Sequence, residues 1–208
     1  MEKDKALTII QILKNTYIEV KPELIFSSAF ELLIATILSA QCTDKRVNIV
    51  TKVLFKKYKK PEDYLQVKSE ELEKDIFSTG FYKQKAKSIK AVCEALISDF
   101  NSKVPENFDK LVGLPGIGRK SASVIASNWF NIPSIAVDTH VKRLSNLIGF
   151  IDSNNPEKIE QRLKELIPEK LWIDTSLLLS KHGRKICIAR KPKCKECVIN
   201  KLCNSAFK

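Results

Sequence analysis

Apolar side chains return every three or four positions along most of this chain. They do so at Leu7, Ile10 and Leu13, at Leu32, Leu33 and Ile37, at Val47, Val50 and Leu54, and at Ile89, Val92 and Leu96. The pattern resumes at Val124 and Ile125, at Leu144, Leu147 and Ile148, and at Ile159, Leu163 and Leu166. That spacing places one apolar stripe on a helix, and no run alternates in the way a half-buried strand does. Breakers stand between the stripes at Pro22, Pro61, Gly80, Pro105, Pro115-Gly116, Pro133, Pro156 and Pro168. The pattern predicts an all-α fold of about ten helices, roughly 8 to 20 residues each, joined by short turns.

The most apolar stretch, Leu24 to Ala40, carries Glu31 and four Ser or Thr residues. At about 17 residues it is marginal for a bilayer and is expected to be a buried core helix. No internal repeat, low-complexity tract or long linker interrupts the chain, so any lobe boundary runs between packed helices. Pro22 and Pro133 are the expected places, giving a helical-bundle domain over 22–132 and a second helical domain from 1–21 plus 133–208. The start, Met1-Glu2-Lys3-Asp4-Lys5, mixes charges and precedes no long apolar run. It reads as neither a secretory nor a transit peptide, which predicts a cytoplasmic protein.

Charge narrows the partner. The 208 residues carry a formal net charge of +12, which suits a polyphosphate, because Lys and Arg clusters release its condensed counterions. A basic surface that serves only solubility fits the charge equally well, so other residues must decide.

Three of the six glycines, Gly113, Gly116 and Gly118, crowd into one turn that continues Leu114-Pro115-Gly116-Ile117-Gly118-Arg119-Lys120. Glycines leave the backbone uncovered, and a hairpin running into a helix can direct N–H groups at a phosphate. Lys120 falls in the first turn of that helix, where the dipole and Arg119 are expected to disfavour its protonation and make it a candidate amine nucleophile. Asp138, eighteen residues on, precedes Val141, Leu144 and Ile148 and reads as a helix N-cap.

The C-terminus carries a second signal. Cys187, Cys194, Cys197 and Cys203 have the spacing C-x6-C-x2-C-x5-C in a segment with few apolar residues, so a bound metal is expected to hold it together. Spacing alone leaves zinc and an iron–sulfur cluster both open. Arg190, Lys191 and Lys193 stand between the first two cysteines, so the metal would stiffen a basic loop. Cys42 and Cys93 read as buried side chains in helices.

Together these motifs resemble the endonuclease III family of the helix-hairpin-helix-Gly/Pro-Asp superfamily of DNA base-excision glycosylases. The resemblance rests on Leu38-Ser39-Ala40-Gln41-Cys42-Thr43-Asp44, the hairpin with Lys120, Val137-Asp138-Thr139-His140, and His182-Gly183-Arg184 leading into the cysteines. It implies a two-lobed fold with the hairpin motif at about 108–130 and a 4Fe-4S cluster loop at 187–203, held by Cys187, Cys194, Cys197 and Cys203. It further implies a monomeric, bifunctional DNA glycosylase and AP lyase that removes oxidised pyrimidines such as thymine glycol from double-stranded DNA. Lys120 and Asp138 match the catalytic pair, Lys120 forming a Schiff base. Adenine mismatch glycosylases of the same superfamily generally lack that lysine. Gln41 and Phe81 match side chains that enter the duplex, although the family more often has leucine at the second, and Phe81 reads equally as a core aromatic. Gly116, Gly118, Arg119, Lys185 and Lys191 are expected at the DNA backbone, and His140 beside the lesion or orienting the aspartate's loop.

Overall fold

The computed structural model describes residues 1–207, and every regular element among them is helical. The chain divides into two compact units, one formed by Pro22–Asn131 and the other by Met1–Lys21 with Ile132–Lys208.

The unit spanning Pro22–Asn131 is built around α2 (Ala29–Leu38), in which every residue from Leu32 to Leu38 is buried. The expected core helix is shorter than the apolar stretch because Ser28 caps it. The Ser28 hydroxyl accepts from the Glu31 amide at 3.0 Å, while the Glu31 carboxylate accepts from the Ser27 amide and hydroxyl. A charge inside an apolar run is thus a first-turn carboxylate that satisfies helix-start donors. Residues 24–28 lie outside the helix.

Around α2 pack α3 (Asp44–Lys57), α6 (Tyr82–Phe100) and α8 (Arg119–Asn128), while α4 (Pro61–Gln66) and α5 (Ser69–Ile76) cover α6 and α7 (Phe108–Gly113) leans on α8. Each of the large aliphatic side chains buried here contributes about 1.5–3 kcal/mol. Cys93 is buried in α6 as expected, with burial pushing its thiol up to about 12. Cys42 departs from the expectation: it sits half-buried in the turn after α2, not in a helix.

The other unit packs α9 (Thr139–Ile148) against α10 (Pro156–Leu166) and α11 (Trp172–Lys185), with α1 (Lys3–Thr16) lying on α10 and α11. Ile9, Ile10 and Leu13 of α1 meet Val141, Leu144 and Ile148 of α9, Ile159 and Leu163 of α10, and Leu178 and Leu179 of α11 in one core. The N-terminal helix therefore belongs to the C-terminal third of the chain. Among the described residues, the regular structure of the cysteine segment that follows α11 is two short 3-10 turns, Cys194–Glu196 and Asn200–Leu202. Among the described residues no helix is long and apolar enough to cross a membrane.

Candidate active site

The hairpin forms between α7 and α8. The Ile117 amide donates to the Leu114 carbonyl at 3.0 Å, and Leu114 and Ile117 are buried, so their side chains anchor the turn. The three glycines do different work. Only Gly116 has a positive φ, +77°, and a Cβ there would stand 3.2 Å from Ser88 Cβ. Gly113 is instead the last residue of α7, and Gly118 is extended, with φ −87°. Gly118 is also the N-cap of α8 and brings no side chain to the helix start, which leaves its amide end open to an anion. Arg119 and Lys120 are the exposed first two residues of α8, and the Arg119 guanidinium lies 5.4 Å from the centre of the Phe108 ring.

Gln41 and Phe81 occupy separate turns of the same unit. Both are exposed and both have left-handed backbone, with φ of 51° and 48°. Phe81 is 64% exposed and so is not a core aromatic. The two residues line one open pocket of about 260 Å³ together with Lys85, Gly116 and Ser121.

In the other unit Asp138 caps α9. Its Oδ1 accepts from the His140 amide at 2.8 Å and the Val141 amide at 2.7 Å, and its Oδ2 accepts from the Ser180 hydroxyl at 2.8 Å. The carboxylate is held from both sides, by the start of one helix and the flank of another. Gly183 is what lets α11 come so close: a Cβ there would lie 2.9 Å from His140 Cβ. Arg143 braces the same junction, donating from Nη2 to the carbonyls of Gly183 at 2.9 Å and Cys187 at 2.6 Å. Ser180 and Arg143 carry no motif that reveals them in the sequence. Only their placement on helices that the fold brings together identifies them.

His140 Nδ1 stands 3.4 Å from Arg143 Nη2, a longer contact than the two that Nη2 makes to carbonyl oxygens. Burial draws the His140 pKa below its ordinary 6.5, with Arg143 and Arg184 adding to the shift and Asp138 opposing it. The imidazole is therefore neutral at pH 7. The unfolded chain binds this proton near 6.5 and the folded chain only at lower pH. The associated stability is thus complete above about 6.5 and is lost as pH falls through the folded-state value. An NMR titration resolves this directly, since the chain has two histidines. We expect the His140 midpoint below 6.5; a midpoint at or above it would refute the shielding.

The cysteine pattern closes into one site. Cys187, Cys194, Cys197 and Cys203 line a single small cavity with Leu144, Ile148, Ile186 and Ile199, and none is in a disulfide. Burial raises the Cys187 and Cys197 thiols above the ordinary range, and the neighbouring cysteines add to the effect. Thiols so crowded are compensated as thiolates only by a cation. The buried His182 places Nε2 3.4 Å from Cys197 Sγ and Nδ1 2.9 Å from the Tyr17 hydroxyl, and burial draws its pKa to about 4. Among the described residues no three His, Cys, Asp or Glu side chains converge as on a single ion. The loop between Cys187 and Cys194 is closed by the Lys193 amide donating to the Ile186 carbonyl at 2.9 Å, and it leaves Lys191 exposed. Lys185, at the end of α11, is also exposed.

Residues 34–169 match the family described as HhH-GPD superfamily base excision DNA repair protein. The chain is 42% identical to endonuclease III of Synechocystis sp. over 99% of its length and 94% of the relative's. It is 41% identical to endonuclease III of Escherichia coli strain K12, covering 98% of this chain and 96% of that one. Its structure superposes on that of a trapped endonuclease III–DNA covalent intermediate with a TM-score of 0.96, at 42% identity and over 99% and 97% of the two chains. The fold and its helix-hairpin-helix define a base excision DNA repair enzyme. Within that class the chain belongs to the endonuclease III family, of DNA glycosylases with associated AP lyase activity.

Proposed function

We propose that Lys120 and Asp138 carry out base excision and strand cleavage at oxidised pyrimidines such as thymine glycol in double-stranded DNA. The observation that carries this reading is the Asp138 carboxylate, clamped by two helix amides and the Ser180 hydroxyl. A carboxylate fixed in advance costs no reorganisation when positive charge develops opposite it.

Breaking the glycosidic bond sends its electron pair out with the damaged base and leaves positive charge on C1′ and the ring oxygen. Asp138 stabilises that charge. The Lys120 amine, in its neutral form, gives its lone pair to C1′ and then loses a proton, and opening of the sugar ring leaves a Schiff base. Removal of a C2′ proton then expels the 3′ phosphate by β-elimination, and water releases the enzyme. Gln41 and Phe81 fill the space vacated by the extruded nucleotide, whose unstacking costs a few kcal/mol. Gly116, Gly118, Arg119, Lys185 and Lys191 contact the phosphate backbone, and His140 stays neutral beside Asp138. Such an enzyme acts in the cytoplasm, on the nucleoid, as a monomer.

Cys187, Cys194, Cys197 and Cys203 fit a 4Fe-4S cluster. Four thiols outside any disulfide line one small cavity, an all-cysteine donor set of the kind that holds such a cluster, and the resemblance to the endonuclease III family implies that group. Bound there, the cluster supplies structure, fastening the basic loop that carries Lys191. The test of the whole reading is borohydride trapping on a duplex with one thymine glycol. A covalent adduct on that duplex and none on undamaged DNA is the expected result, from a preparation that contains iron and not zinc; no adduct and no base release would overturn it.

Backbone contacts predict a separate behaviour. Arg119→Ala, Lys185→Ala and Lys191→Ala should each weaken binding to damaged and undamaged duplexes alike, and each should lower the slope of log K against log salt by about 1. Fluorescence anisotropy over a salt series measures this. A loss confined to damaged DNA would remove that residue from the backbone contacts.

A further inference from the structure

The turns that carry Gln41 and Phe81 are tied together from beneath by a buried ammonium. Lys85, on α6, is 4% exposed. Its Nζ donates to the Leu38 carbonyl at 2.7 Å and to the Thr79 carbonyl at 2.8 Å. Both acceptors end a helical segment: Leu38 is the last residue of α2, and Thr79 the last of the 3-10 turn Phe77–Thr79. Helix C-termini concentrate partial negative charge in carbonyls that lack an intrahelical partner. Here two such ends take the place of a carboxylate. Burial pulls the Lys85 pKa down, with Cys42 opposing.

An ammonium is a costly way to fill a core position, since a methionine of similar length fills it without desolvating a charge. What it does that methionine does not is fix the distance between two chain segments. Three residues beyond Leu38 comes Gln41, and two beyond Thr79 comes Phe81, both left-handed without being glycine. Such residues persist only when their surroundings over-determine them. The pocket they line has Lys85 in its wall.

We propose that Lys85 is a positioning residue: by bridging Leu38 and Thr79 it holds the Gln41 and Phe81 turns at the separation at which both side chains enter a duplex together. The inference rests on the reading of those two side chains given under Proposed function.

The experiment compares the full-length protein with Lys85→Met, which keeps the length and loses both donors, and with Lys85→Arg, which keeps donors for both carbonyls. Single-turnover rates are read on two substrates: a duplex with one thymine glycol, which demands extrusion, and a single-stranded oligonucleotide with one abasic site, which does not. A small misplacement of positioning groups costs up to about a hundredfold. We expect Lys85→Met to lose at least about tenfold more on the duplex than on the single strand, and Lys85→Arg to recover most of that difference. An equal loss on both substrates, or no loss on the duplex, overturns the proposal. If Lys85→Met fails to melt cooperatively, Lys85→Gln, a neutral residue that keeps a donor, is the deciding variant and must show the same selective loss. Wild-type protein inactive on both substrates would instead refute the function on which the inference rests.

Discussion

Lys120→Gln is expected to abolish the borohydride-trapped adduct and to slow strand cleavage at an abasic site by at least about a thousandfold, some 4 kcal/mol at 1.36 kcal/mol per decade. Glutamine keeps much of the reach and a hydrogen-bond donor, but its amide nitrogen has no free lone pair to give to C1′. The substitution is a fair test because Lys120 is exposed at the second position of α8, where exchanging one long polar side chain for another costs a few tenths of a kcal/mol in helix propensity. The melting temperature should therefore hardly move. Binding to damaged duplex should fall only modestly, by the share of one cation in the phosphate field. Trapping and cleavage, read on the same preparation as binding, separate the two contributions. A variant that still forms the adduct would show that another amine is the nucleophile, and the Lys-rich surface offers many to examine.

The chain announces these residues very unevenly. The helical stripes report the fold class because each helix buries one face, and Asp138 is legible because an acidic residue before an amphipathic run is an N-cap. The cysteines are legible for a similar reason: their spacing is local and the segment has little else to fold it. Lys85 hides among Lys83, Lys87 and Lys90 as one more solvated charge. A signal is nevertheless present, since position 85 lies on the stripe of Ile89, Val92 and Leu96, where an unpaired lysine would be anomalous. Ser180 gives no such hint. Its meaning comes from α11 meeting α9 over Gly183, a contact between segments about forty residues apart. The glycines are legible as a group and not one by one. Their crowding marks the hairpin, but only the structure shows that Gly116 serves through its positive φ and Gly118 as a cap without a side chain. Gln41 and Phe81 were recognisable only by resemblance, because no propensity places a glutamine or a phenylalanine in left-handed backbone.

Asp138→Asn is the second decisive substitution, and here the local structure makes the comparison unusually clean. Asparagine caps a helix about as well as aspartate, and its Oδ1 can accept from the His140 and Val141 amides as the carboxylate does at 2.8 and 2.7 Å. The Ser180 hydroxyl, which donates to Oδ2 at 2.8 Å, would face an amide NH2 instead and must turn to accept. Stability should thus change by well under 2 kcal/mol, the upper range for losing a cap outright. What disappears is the negative charge. If Asp138 stabilises the cationic sugar as the base departs, base release should fall by about a hundred- to a thousandfold, the usual effect of removing one pre-aimed electrostatic partner. Strand cleavage at a pre-formed abasic site should fall less, because no glycosidic bond remains to break. That asymmetry is the informative part: Lys120→Gln should damage both reactions, and Asp138→Asn mainly the first. Base release by Asp138→Asn within tenfold of wild type, with the fold intact by circular dichroism, would reduce Asp138 to a helix cap and move the stabilising charge elsewhere.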